Sequence, residues 1–107
     1  LSIAHPDDFR DKIRQALDVH GFRFFLVHAP CPTGWKTEPA ESVELVRLAV
    51  RSGVFPLYEV RDGVDYRINV EPDGTDPLEY YELQKRFAGQ SFDVAAIKRA
   101  VRRRNER

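Results

Sequence analysis

The sequence has no methionine and one cysteine, Cys31. A single thiol cannot close an internal disulfide, which excludes a crosslinked scaffold of the secreted type; Cys31 is either a plain thiol or part of something completed by another chain or segment. The missing initiating Met points to a chain cut from something longer, or to one trimmed of its first residue. Net charge is absent too: seventeen Lys and Arg balance seventeen Asp and Glu, so no global field draws the molecule toward nucleic acid or an anionic membrane. No stretch approaches the ~20 apolar residues that cross a bilayer. Even Phe22 to Ala29 is interrupted by Arg23 and His28. The first seven residues carry neither a basic segment nor an apolar signal core, and a cytoplasmic address is the default expectation.

What is present describes a soluble globular chain. In 107 residues, 42% are hydrophobic and 32% charged, enough for one core and an ionic surface. That length suits one domain or a piece of a larger one.

Periodicity and punctuation place the elements. Pro6, Asp7 and Asp8 open a helix whose apolar stripe is Phe9, Ile13, Ala16 and Leu17, with Gly21 as its stop. Phe22 to His28, aromatic and β-branched between Gly21 and Pro30, reads as a buried strand. Helix then strand is half of a βαβ unit. The parallel strand that should come first would end about where the chain begins, so the sheet is expected to be incomplete at Leu1. From Ala29 to Pro39, three prolines and Gly34 oppose regular ladders and predict a fixed irregular loop.

A second helix opens at Glu38-Pro39-Ala40-Glu41, buries Val43, Leu45, Val46, Ala49 and Val50, and closes at Gly53. Phe55 to Val60 and Tyr66 to Val70 form a hairpin turning at Asp62-Gly63. After a loop over Glu71 to Pro77, a helix over Leu78 to Phe87 turns Leu78, Tyr81 and Leu83 or Phe87 inward. A last helix, capped by Ser91 or Asp93, carries Val94, Ile97 and Val101 on one side. The fold class is therefore α/β: a partial open sheet with flanking helices, a β-hairpin and a helical C-terminal extension. Residues 1–72 form the α/β part and residues 73–107 the extension.

The most unusual segment is Ala29-Pro30-Cys31-Pro32-Thr33-Gly34-Trp35. A thiol between two prolines has little backbone freedom, and the missing amide donors keep the loop from joining a sheet edge. Rigid presentation at a strand end suits metal or cluster ligation; the other reading is a small buried structural thiol. One thiolate cannot hold a cluster alone. His5, His20 and His28 are too scattered for a metal pattern, and His28 at a strand end reads as a hydrogen-bonded structural residue. Asp62-Gly63 and Asp73-Gly74 are turn signals, and no EF-hand ligand series exists. Trp35 is expected to pack the loop against its own domain, with an aromatic wall beside a cofactor as the alternative. Lys98, Arg99, Arg102, Arg103, Arg104 and Arg107 concentrate charge at the C-terminal helix end, where cations complement the dipole and solubilise a terminus. No aromatic is interleaved there, so nucleic-acid binding is not expected.

His28-Ala29-Pro30-Cys31-Pro32-Thr33-Gly34-Trp35, with Leu48-Ala49-Val50-Arg51-Ser52-Gly53-Val54-Phe55-Pro56-Leu57-Tyr58-Glu59, resembles the C-terminal third of the β subunit of pyruvate:ferredoxin oxidoreductases. His5-Pro6-Asp7-Asp8-Phe9 and Gln84-Lys85-Arg86-Phe87 resemble flanking segments of the same family, so the resemblance runs through most of the chain. The Pro-Cys-Pro-Thr-Gly-Trp string carries most of its specificity.

The resemblance implies a thiamine diphosphate enzyme that decarboxylates a 2-oxoacid, passes electrons through [4Fe–4S] clusters to ferredoxin and forms an acyl-coenzyme A. It implies that residues 1–72 are the end of a thiamine-diphosphate-enzyme-like α/β domain, and that Cys31 is the family's late cluster cysteine. The family's other cluster cysteines and its Gly-Asp-Gly magnesium motif lie in the preceding part of the subunit, and this sequence has neither. Activity, Mg2+ or cofactor binding by this chain alone is therefore not expected; its implied partners are the rest of the β subunit, the other oxidoreductase subunits and ferredoxin. The rival expectations are a non-catalytic interaction domain using its basic C-terminal helix, and a small redox module whose thiol bridges two copies.

Overall fold

The computed structural model describes residues 1–106; Arg107 of the basic tail lies outside the described residues. Helix α1 spans Pro6–Leu17, with Pro6 in the first turn and Asp7 and Asp8 beside the positive dipole end. It stops at Asp18, three residues ahead of the expected stop. Gly21, at φ +109°, instead turns the chain into the next segment.

That next segment corrects the sequence reading. Residues 22–27 form no ladder and are exposed, Phe22 at 88% and Phe24 at 73%. At its end one parallel bridge joins Ser2 to His28: the Leu1 amine donates to the Leu26 carbonyl at 2.7 Å and the His28 N–H to the Leu1 carbonyl at 3.0 Å. The parallel neighbour expected ahead of α1 is thus present as a single bridge. A strand exists only through the hydrogen bonds of its neighbours. Among the described residues only Leu1 and Ser2 pair with the backbone of this segment, and its apolar residues range from 41% exposed at Phe25 to 88% at Phe22.

The proline-rich loop is also more regular than expected. Pro32–Trp35 forms a one-turn helix, α2, because Pro32 suits a first helical position and the Trp35 N–H reaches the Cys31 carbonyl at 2.8 Å. A 3-10 turn, Pro39–Glu41, leads into α3, Ser42–Arg51, which buries Leu45, Val46, Ala49 and Val50. Val43, expected inside, is 43% exposed. Strands β1 (Leu57–Arg61) and β2 (Asp65–Val70) pair antiparallel, Val60 opposite Tyr66. Asp62 and Gly63 both have positive φ, +52° and +71°, the signature of a type I′ turn.

The single helix expected over 78–87 is broken. Helix α4 spans Pro77–Glu82, capped by the Asp76 carboxylate, and a separate 3-10 turn covers Lys85–Phe87. Gln84 lies at the break and is fully buried: its side-chain amide, rather than its backbone N–H, donates to the Tyr80 carbonyl at 2.9 Å. The core joins Leu45 and Ala49 of α3 to Tyr80 of α4, with Trp35 and Phe55 packed against them. Helix α5, Val94–Asn105, is capped by Asp93 and half-buries Val94, Ile97 and Val101. Its end is tied down by Arg104 and Asn105, which donate to the carbonyls of Val54 and Gly53. No helix among the described residues is long and apolar enough to cross a membrane.

Gly53 is the tightest of these junctions. Its φ is +78°, and an added Cβ would stand 2.8 Å from Asn105 Nδ2 and 3.0 Å from Val101 Cγ1. Gly53→Ala is expected to cost about 1–3 kcal/mol, read as a lower midpoint in urea unfolding. The exposed face of residues 22–27 generates a second expectation, since burying each Phe is worth roughly 1.5–3 kcal/mol. The chain should self-associate as its concentration rises; a monodisperse, cooperatively melting monomer in sedimentation and calorimetry would contradict this.

Candidate functional site: the Cys31 loop

Cys31 is the residue immediately before α2, with φ −123° and ψ 94°, and its side chain is exposed. Exposure removes core filling as its role. Gly34 lies beneath it: a Cβ there would sit 3.5 Å from Cys31 Sγ, so glycine leaves that side of the sulfur open. The thiol is thus offered outward on a short, proline-started turn. Among the described residues no group of three or more His, Cys, Asp or Glu could hold a metal ion. Of the sequence candidates, His5 and His20 are not gathered with Cys31 into any metal-holding group, and Asp62 lies at the hairpin turn.

The loop is anchored at both ends. At its start the His28 ring stacks on Phe55, centroids 4.7 Å apart and planes 29° from parallel, while Nε2 shares a hydrogen bond of 3.1 Å with the Tyr80 hydroxyl. Burial, followed by the nearby Leu1 ammonium, pushes the His28 pKa below its ordinary value, and burial pushes that of Tyr80 up. Both groups are therefore neutral at pH 7. At the loop's far end Trp35 packs into the core, and the Arg86 guanidinium lies 4.3 Å from its ring centroid in a cation–π contact. Gln84 joins the two anchors, donating to the Tyr80 carbonyl and accepting from Arg86 Nε at 2.9 Å.

Sequence reasoning found Cys31, His28 and Trp35 and missed Tyr80, Gln84 and Arg86. The signal was available: Pro77, Tyr80, Tyr81 and Gln84 follow the i, i+3, i+4, i+7 spacing of one helix face, and a Gln on a buried face demands partners.

A second feature lies on the side of α1 and shares Phe55 with the packing around His28. An open cleft of about 740 Å³ runs between α1, residues 22–26 and β1, lined by apolar groups including Phe22, Phe24, Phe55, Tyr58 and Val60. Arg61 of the hairpin hydrogen-bonds Gln15 of α1 along it.

No family model matches the chain. Individual relatives do. The chain is 46% identical over 87 residues to pyruvate synthase subunit PorB of Methanothermobacter marburgensis, an alignment covering 80% of this chain and 30% of that protein. It is 43% identical over 86 residues to the PorB of Methanocaldococcus jannaschii, covering 79% and 28%. The match to ketoisovalerate oxidoreductase subunit VorB of Pyrococcus horikoshii is 38% over 104 residues, covering 94% of this chain and 33% of the relative. The chain belongs to the β-subunit family of 2-oxoacid:ferredoxin oxidoreductases. It spans about 30% of the length of the PorB relatives it matches. Matches to both PorB and VorB at similar identity mean that family membership does not select one oxoacid.

The depressed pKa of His28 has a measurable consequence. The unfolded chain binds a proton near pH 6.5 that the folded chain resists, so the stability from His28 is complete above that pH and declines as pH falls through it. An NMR titration of the His28 imidazole should give a midpoint below 6.5, and unfolding in urea should become easier between pH 7 and pH 5. A midpoint at or above 6.5 would contradict the burial seen here.

Proposed function

We propose that this chain acts as the part of a 2-oxoacid:ferredoxin oxidoreductase β subunit that presents Cys31 as one thiolate ligand of a [4Fe–4S] cluster. The observation that carries the reading is the exposed sulfur on the Pro-Cys-Pro turn, within a chain 46% identical to a pyruvate synthase subunit over 80% of its length. A soft thiolate on a backbone held by two prolines and a helical turn meets what such ligation requires, a donor that stays at bonding distance. It supplies one corner only. The remaining ligands come from other residues of the subunit, since Cys31 is the one cysteine of this sequence.

The complete enzyme carries out coenzyme A-dependent oxidative decarboxylation, with pyruvate as the first substrate to test. Thiamine diphosphate supplies the carbanion chemistry when bound, and the cluster carries electrons onward to ferredoxin. The resemblance implies that the diphosphate and Mg2+ sites lie in the preceding part of the subunit, and we assign this chain no step through them. Its contributions are presentation of the sulfur, exclusion of water behind the loop by Trp35 and Phe55, and an apolar face at residues 22–27. That face meets the rest of the β subunit, which provides the missing neighbours of the 22–27 segment. The compartment is the cytoplasm.

The rival reading, a non-catalytic module binding through α5, is less favoured. Lys98 pairs with Asp76, and Arg104 donates to the Val54 carbonyl, so part of the basic cluster serves the fold itself.

In the intact oxidoreductase, Cys31→Ser should lower iron and acid-labile sulfide content and slow ferredoxin reduction. Full cluster occupancy with unchanged electron transfer would rule the assignment out.

A further inference from the structure

The two prolines restrict the backbone on either side of Cys31, but they do not fix the tilt of the loop as a body. That tilt is set where the loop is held. Its holders on one side are Tyr80, Gln84 and Arg86, all from the segment after the hairpin. Tyr80 meets His28, three residues before Cys31, at 3.1 Å; Arg86 covers Trp35, four residues after it, at 4.3 Å. Gln84, 1% exposed, bonds both holders at 2.9 Å each and so couples the two grips. His28 and Trp35 themselves lie 5.8 Å apart, centroid to centroid, closing the circuit.

In this circuit Gln84 and the Tyr80 hydroxyl are partnered, while His28 Nδ1 is buried without a partner, and each such unpaired buried atom costs stability that an apolar core would keep. Here the two ends of the loop could be held by packing alone. What the polar circuit adds is orientation, since hydrogen bonds and a cation–π contact are directional where apolar contact is not.

We propose that Tyr80, Gln84 and Arg86 are positioning residues that clamp the Cys31 loop and thereby set the orientation of the Cys31 sulfur toward the cluster. This rests on the reading of Cys31 as a ligand. Supporting groups around a metal ligand tune its bond and the solvent access of the site, so loosening the clamp should alter the electronic properties of the cluster without removing a ligand.

The test uses the intact oxidoreductase with Tyr80→Phe, which deletes one hydroxyl, and Arg86→Ala, which truncates an exposed side chain. Lys85→Ala, exposed on the same 3-10 turn, is the control, and Cys31→Ser is carried alongside. Melting temperature, iron and sulfide content, cluster reduction potential and EPR line shape are measured for each. The expected result is a shifted potential and altered EPR signal, or partial cluster loss, in Tyr80→Phe and Arg86→Ala, with a larger change in the double variant and none in Lys85→Ala. A fall in melting temperature with unchanged potential, EPR signal and cluster content would show a purely structural role and overturn the clamp. Failure of the underlying reading looks different: Cys31→Ser would then keep a full, unaltered cluster.

Discussion

His28 occupies the point where separate stretches of the chain converge. Its ring lies on Phe55, which leads into the hairpin, and its Nε2 meets Tyr80 of α4, while its own backbone is bridged to the segment at Leu1 and Ser2. Three residues later the chain presents Cys31. A histidine suits this place because the neutral ring offers a flat apolar face and a polar edge at once. Phe would pack but leave the Tyr80 hydroxyl without this partner, and a permanently charged side chain would bear the cost of burial.

The molecule is unevenly finished around that point. On the side of α3 and α4 the packing is dense, with Leu45, Ala49 and Leu57 fully buried. On the side of α1 no residue of the helix is buried, Leu17 is 72% exposed, and the aromatic run after it faces solvent. A helix and strand of a βαβ unit bury their apolar faces against neighbouring strands. Without those neighbours the pattern stands in the side chains and the packing does not. The chain's correspondence to about 30% of its PorB relatives gives this asymmetry a simple origin under the proposed function.

Local elements were legible where chain neighbours decide them. Pro6 with two acids starts α1, Asp93 caps α5, and Asp62-Gly63 makes the hairpin turn; each depends on a few adjacent residues and each stands where expected. The errors lie where distant partners decide. Residues 22–27 carry a strand pattern but lack the ladder that would make them a strand. The exception is the helix expected over 78–87, whose break at Gln84 is local: the side chain takes the Tyr80 carbonyl four residues back while the backbone N–H turns to Tyr81, a choice that propensity does not record. At the site, proline spacing alone marked Cys31 as rigidly held, yet could not reveal what holds the loop from outside.

The residue order by itself determined the helix starts, the turn geometry, the stiffness of the Pro-Cys-Pro segment and, through its motif, the family. All of these follow from steric limits and hydrogen bonds within a few residues. Only the tertiary structure decided that Cys31 is exposed, that His28 is shared between Phe55 and Tyr80, and that Arg86 covers Trp35. Those facts depend on contacts between residues as many as 52 positions apart, and such contacts exist only after the chain has folded.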